Sequence, residues 1–487
     1  MVKRKPAKKR PQAQHNKKGQ KSQHDKRQRL LKQNKNRKVT SEARVPLCGA
    51  MQVSVAALQA LLDPRIAFRL GIIFAGMLVA DDLRTASAWF AAGGVQDDWD
   101  RFYDCLISVG KRYEVLAFVV LGLIVKRLDP GPDGVVKIAM DDTVTRRFGP
   151  QVEGSGVHHN PTPGPADGEW VYGHNWVTLA WLARHPIWGV IALPILSKLY
   201  VRRIDIPKLN DKHGWEFKTK LELGLEQLKW FVSSIRQSGV TATIWLVVDG
   251  AYAKKSFLRP LILQGLVVFS RLRRDACLYD VPPSPKAGKR GRPRIYGKNK
   301  ISLSKRANHK RGWTKITYLC RGSKVTRQYK SFLATTHLTG GVIRVVIVKF
   351  DNGWAAYFST DANASVENIL EMVADRWAIE EHFHDVKEVC GAGQQQVRNV
   401  WSNIACWHLN AWLFTMVELC SWDKPHEELS DRTDRPWDNP ARRPSHNDRR
   451  RTIAKEMLRN HFFSVLRSYL IPPKIQAVLN DLIALSA

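Results

Sequence analysis

The stretch Val135-Val-Lys-Ile-Ala-Met140-Asp141-Asp142-Thr143 decides how the chain is read. Six residues, apolar but for Lys137, form a short buried strand, and it ends on two carboxylates. A second stretch repeats the design: Ile244-Trp-Leu-Val-Val248 is a buried strand that runs into Asp249-Gly250. A carboxylate that closes a buried strand is desolvated on one side and open on the other, which suits an oxygen ligand for a hard cation.

The segments between and around these two strands set the order of elements. Val171 to Leu182 and Trp188 to Tyr200 are strand candidates rich in Val, Ile, Leu and Trp. Leu221, Leu225, Leu228, Val232 and Ile235 are spaced four, three, four and three, which predicts a helix. A second helix over about Lys254 to Leu263 and a strand at Leu266 to Ser270 follow. Three strands, helix, strand, helix, strand is the order of a ribonuclease-H-like core, an α/β fold with a mixed sheet flanked by helices. Val53 to about Leu128 carries helical periodicity broken at Gly93-Gly94, and Asp129-Pro-Gly-Pro-Asp-Gly134 is a strong breaker. The expected organisation is therefore a basic tail at 1–44, unstructured without a partner, and an all-helical N-terminal domain at 45–130. The ribonuclease-H-like core is expected over 131–274 and 351–425, interrupted by a basic, β-rich insertion at 275–350 with a strand at Val342 to Val348. A C-terminal helical tail covers 426–487.

Charge identifies the class of partner. The chain has 487 residues and net charge +33, but residues 1–44 hold 17 Lys plus Arg against two acids, and residues 281–350 hold 18 against none. The remainder is neutral. Two such segments fit a polyanion, because Lys and Arg that neutralise phosphates release condensed counterions. DNA is the expected partner. No apolar run reaches the roughly 18 residues that a membrane helix requires, so no membrane partner is expected. Seven scattered Cys without a CxxC pair suit a reducing cytoplasm, and the expected location is cytoplasmic and nucleoid-associated.

A third carboxylate stands in Arg376-Trp-Ala-Ile-Glu380-Glu-His-Phe-His-Asp-Val-Lys387. On the long helix expected over about Ser365 to Cys390, Arg376, Glu380 and Lys387 share one face, while Trp377, Ile379, Phe383 and Val386 supply a buried side. Carboxylates from three separate elements can hold two divalent ions about 4 Å apart for in-line phosphoryl displacement. Asp141, Asp249 and Glu380 are the candidate catalytic and metal-binding residues. Asp142 is the alternative to Asp141, since strand alternation lets only one of the two enter the cleft. Arg376, Lys387, Arg271 and Arg273 are candidate DNA contacts. So are Arg290, Arg292 and Arg294 of Lys289-Arg-Gly-Arg-Pro-Arg294, a string that fits a narrow minor groove or phosphates. His158, His159, His174 and His185 lack metal-ligand spacing and read as loop and strand residues. His382 and His384 flank the Glu380 face, and Trp313 and Trp354 are either core aromatics or stacking platforms.

These residues resemble the catalytic core of the DDE transposases, specifically the insertion-sequence-four superfamily and its insertion-sequence-701-like branch. Arg376, Glu380 and Lys387 match the last three terms of the signature Tyr-x2-Arg-x3-Glu-x6-Lys, and Asp141-Asp142-Thr143 and Asp249-Gly-Ala-Tyr252 resemble its first two blocks. The likeness covers about Val53 to Leu419. It departs at Val373, where the signature has Tyr. The resemblance implies cleavage at the terminal inverted repeats of a mobile element with Mg2+ (two ions, Mn2+ as substitute). Attack of the freed 3′-hydroxyl on target DNA follows, and a homodimer forms when the ends are synapsed. The alternatives are a nucleic-acid-binding descendant that no longer cuts and a DNA endonuclease without strand transfer.

Overall fold

A computed structural model describes residues 43–80, 83–128, 130, 134–160, 168–284, 292–430, 437–439, 441–466 and 473–485. The expected basic tail, apart from its last two residues, most of the 129–134 breaker and Arg290 lie outside the described residues.

Five helices come first: α1 (Gly49–Gln59), α2 (Pro64–Val79), α3 (Ala86–Ala92), α4 (Trp99–Lys111) and α5 (Tyr113–Arg127). The Gly93-Gly94 break separates α3 from α4 as the periodicity predicts. Strands β1 (Val135–Arg146), β2 (Gly156–His159), β3 (Trp170–His185) and β4 (Gly189–Tyr200) follow, then α6 (Ile206–His213), α7 (Lys220–Gln237), β5 (Thr243–Val248), α8 (Lys255–Leu263) and β6 (Val267–Leu272). The strands lie side by side in the order β4-β3-β1-β5-β6, with β1 antiparallel to β3 and parallel to β5, and β5 parallel to β6. This mixed sheet flanked by helices is consistent with a ribonuclease-H-like fold.

The basic segment departs from the expected inserted subdomain. Its elements are β7 (Leu278–Tyr279), β8 (Lys300–Ile301), α9 (Leu303–Asn308), β9 (Thr314–Cys320), β10 (Ser323–Thr336) and β11 (Gly341–Phe350). With β12 (Gly353–Ser359), which pairs antiparallel with β6, they prolong the same sheet in the order β6-β12-β11-β10. Edge strand β6 is a template of unpaired backbone groups, and the returning strands satisfy it.

The long helix expected from Ser365 to Cys390 is two helices, α10 (Val366–Asp375) and α11 (Trp377–Glu388), joined at Arg376. Then come α12 (Val400–Cys420), α13 (His426–Leu429), α14 (His446–Leu466) and α15 (Pro473–Leu485). Helix α12 is buried from Ser402 to Leu419, as apolar residues spread around its whole circumference lead one to expect, and it carries Ser402, Asn403, His408, Asn410, Thr415 and Glu418 into the interior with them. It covers edge strand β4, where Trp412 Nε1 and Thr415 Oγ1 donate to the Ile195 and Pro194 carbonyls, each at 2.9 Å. Trp407 stacks on Trp176 of β3, with centroids 5.1 Å apart. One continuous core joins the N-terminal helices, the sheet and α12. Among the described residues no helix is long and apolar enough to cross a membrane.

Candidate active site

Strands β1 and β5 run parallel with Met140 opposite Val248. The next residues, Asp141 and Asp249, therefore follow a paired position on neighbouring strands; β1 does not end at its acids, as the sequence suggested, but runs on to Arg146, whereas Asp249 is the first residue past β5. Val136, Ile138, Ala139, Met140, Val247 and Val248 are buried, so burial of the strands fixes where the two acids emerge. Asp249 then caps a single turn over Gly250–Tyr252, accepting from Ala251 N at 3.1 Å.

Alternation along β1 sends its two acids to opposite faces. Met140 meets α7 so closely that a Cβ on Gly224 would stand 2.9 Å from the Met140 sulfur. Asp142, on the same face, accepts from Lys220 Nζ at the start of α7 (2.6 Å), from the buried Tyr252 hydroxyl (3.1 Å) and from Asn175 Nδ2 (3.3 Å). Lys220 opposes the dipole of its own helix, and Asp142 supplies the charge that holds it there. Asp141 faces the other way, where Arg376 Nη1 donates to its Oδ2 at 2.7 Å.

Arg376 stands at the break between α10 and α11, and its second arm, Nη2, donates to Glu380 Oε1 at 2.6 Å. One guanidinium thus ties the strand carboxylate to the helix carboxylate. Burial opposes the Arg376 charge, but Asp141 and Glu380, and beyond them Asp249, hold its pKa above the ordinary value. Burial pushes the Asp141 carboxyl up to about 7 against the pull of Arg376, and the charges of Asp142 and Asp249 add to the rise. Two carboxylates, from β1 and α11, pair with one cation, and a third, from the turn after β5, acts on it through its charge. As an oxygen-only donor set the three fit Mg2+ or Mn2+. Among the described residues no group of three His, Cys, Asp or Glu stands in a ligating arrangement, and Arg376 sits between Asp141 and Glu380.

The family model of the DDE superfamily endonucleases matches residues 71–330, just over half of the chain. The chain belongs to that family. The matched region contains Asp141 and Asp249 and ends before Glu380. No curated protein matches the chain.

Around these carboxylates the other candidates divide. Lys387 is half-buried on α11, burial lowers its pKa to about 8, and among the described residues no carboxylate pairs with it. Arg271 is exposed at the end of β6, opposite Tyr357 of β12. Arg273 lies just past β6 and is held by Asp275 at 3.1 Å. Arg271, Arg273, Arg274 and Gly250 line a concave surface of about 400 Å3 beside Asp249. Arg292 and Arg294 are exposed and precede β8, at the opposite end of the sheet, so they are not brought to the carboxylates. His384 is exposed, whereas His382 is buried against Phe414. His174 accepts from Arg147 Nε at 3.0 Å within the core. Trp313 and Trp354 are partly buried beneath Lys330 and Arg274.

Sequence reasoning missed Lys220, Asn175 and Tyr252 as partners of Asp142, and Tyr357. Burial raises the Tyr357 phenol while Arg271 and Arg376 both pull it down, which puts it within electrostatic reach of both. Only Tyr252 left a local signal, three residues after Asp249; the rest are joined to the site by tertiary packing alone.

Proposed function

We propose that the protein is a cut-and-paste DNA transposase of the insertion-sequence-four superfamily, in its insertion-sequence-701-like branch, with Asp141, Asp249 and Glu380 as the catalytic carboxylates. The observation that carries this reading is the pairing of Arg376 with both Asp141 and Glu380, with Asp249 near enough for its charge to act on the same guanidinium. Asp142 is fully engaged by Lys220, Tyr252 and Asn175, which favours Asp141 as the ligand.

The chemistry that Mg2+ or Mn2+ supplies at such a carboxylate set is activation of the attacking oxygen and stabilisation of the leaving oxygen. Arg271 and Lys387, neither paired with a carboxylate among the described residues, bind backbone phosphates on either side and orient the scissile bond. Water attacks the phosphorus at the element's end and the 3′ oxygen leaves. The freed 3′-hydroxyl then attacks a target phosphorus and displaces that strand's own 3′ oxygen. The inverted-repeat DNA and target DNA are the partners, two copies act on the paired ends, and the protein works at the nucleoid.

The test is cleavage of a plasmid that carries the ends of the source element, scored for double-strand breaks and for capture of the 3′ ends into a second plasmid. Asp141→Asn, Asp249→Asn and Glu380→Gln are each expected to lower cleavage by at least about hundredfold. Cleavage without capture would reduce the reading to an endonuclease. Metal-independent binding without any cleavage would overturn it.

A further inference from the structure

We infer that Arg376 is the resident counter-cation of the carboxylate cluster, which a divalent ion must displace and a DNA phosphate can draw away, so that DNA and metal bind this protein cooperatively. The inference rests on the metal-binding reading of Asp141, Asp249 and Glu380 proposed above.

The geometry is that of a competitor. The two arms of the guanidinium fork reach Asp141 Oδ2 at 2.7 Å and Glu380 Oε1 at 2.6 Å, which are oxygens that a shared cation would need. Among the described residues no other cationic side chain pairs with either carboxylate. The participants are secluded: the side chains of Asp141, Arg376 and Glu380 are 18 %, 20 % and 34 % exposed. Three carboxylates gathered in such a cleft repel one another unless a positive charge stands among them. The charge balance of the cluster therefore rests on Arg376.

Arg376 sits at the junction of α10 and α11, and its side chain is one-fifth exposed, so it borders solvent. Once released, a guanidinium needs an anion, and two oxygens of one phosphate can accept from the two arms that Asp141 and Glu380 had held. If metal entry requires Arg376 to let go, whatever holds Arg376 elsewhere favours the metal. Binding linkage makes the effect reciprocal: DNA raises metal affinity by the factor by which metal raises DNA affinity.

Mn2+ binding to the full chain, followed by electron paramagnetic resonance without DNA, tests this. Arg376→Gln keeps a polar, though shorter, side chain and removes its charge, and is expected to bind Mn2+ about tenfold more tightly than the wild type, within the range usual for coupled sites. Arg376→Lys, which keeps the charge but loses the fork, is expected to fall between them. A short DNA duplex is expected to tighten Mn2+ binding by the wild type and to leave Arg376→Gln unchanged. A structural role alone would weaken binding in both variants. Mn2+ binding that weakens or stays constant in Arg376→Gln, while Asp141→Asn abolishes it, overturns this inference and spares the metal site. Mn2+ binding indifferent to Asp141→Asn overturns both.

Discussion

Asp141 and Asp142 are adjacent and chemically identical, yet their substitution by Asn is expected to have opposite consequences. Asp142→Asn removes the charge that faces Lys220 and the acceptor of the Tyr252 hydroxyl. Tyr252 is 3 % exposed, so its bond to a charged oxygen is worth about 1.5 to 3 kcal/mol. The Lys220 pair, 35 % and 23 % exposed, adds only about 0.5 kcal/mol after solvent screening. Asn keeps one acceptor oxygen, which returns part of this, and a net loss of about 2 kcal/mol is expected. Spread over a chain of this size, that lowers the melting midpoint by about 2 to 3 °C. Mn2+ affinity should survive. Asp141→Asn should change the metal-free midpoint little, because a secluded carboxyl is exchanged for a neutral amide beside Arg376, and should abolish Mn2+ binding. Differential scanning fluorimetry without metal and Mn2+ titration of the same samples measure both quantities. Loss of Mn2+ binding in Asp142→Asn at an unchanged midpoint would refute the assignment of the two faces.

The Asp141 carboxyl, raised to about 7, binds a proton in the folded chain that the unfolded chain holds only below its ordinary carboxylate range. Without metal its contribution to stability is therefore present at acid pH and is lost as pH rises through about 7. Mn2+ competes with that proton, so isothermal titration should show affinity falling about tenfold per unit below pH 7. Lys387, with its pKa lowered to about 8, should lose its charge in mild alkali. DNA affinity by fluorescence anisotropy should then decline above pH 8 in the wild type but not in Lys387→Met, whose log-log salt slope should be shallower by about one. Glu418, 1 % exposed, is held by His446 and Arg449, each at 2.7 Å. Glu418→Gln should cost about 3 to 5 kcal/mol by leaving Arg449 buried with less charge to meet, read as a lowered melting midpoint.

The strands that carry Asp141 and Asp249 were legible because each contains a short apolar run followed by an acid, although only β5 ends there and β1 continues through both of its acids to Arg146. The 3.6-residue periods of α7 and of the N-terminal helices were legible for the same reason. The pairing of Arg376 with Glu380 was legible from four-residue spacing, although the helix breaks at Arg376 itself. The destination of the basic segment was not. Its residues specify strands, but pairing of β12 with β6 is a contact between edges, and alternation of side chains carries no record of which edge a strand joins. The partners of Asp142 were hidden for a related reason: Lys220 and Asn175 reach it from another helix and another strand, and only the assembled sheet brings them together.

The three acids are not held alike, and the difference bears on how the centre works. Asp141 is fixed by the register of β1 between β3 and β5, and Asp249 by the capped turn that leaves β5. Moving Asp141 means breaking a ladder in the middle of the sheet, and moving Asp249 means undoing the turn that it caps. Glu380 belongs to α11, which rests on the sheet through Ile379, Phe383 and Val386 and is separated from α10 by a turn. Apolar packing tolerates small sliding motions that a hydrogen-bonded ladder does not. The sheet therefore supplies two invariant positions and the helix an adjustable third. Arg376 stands at the joint where adjustment is possible and bonds to one carboxylate of each kind. A centre that must accept one phosphodiester, release it and then accept another benefits from that asymmetry, because the fixed pair preserves alignment while the helical member follows the changing distance between attacking and leaving oxygens.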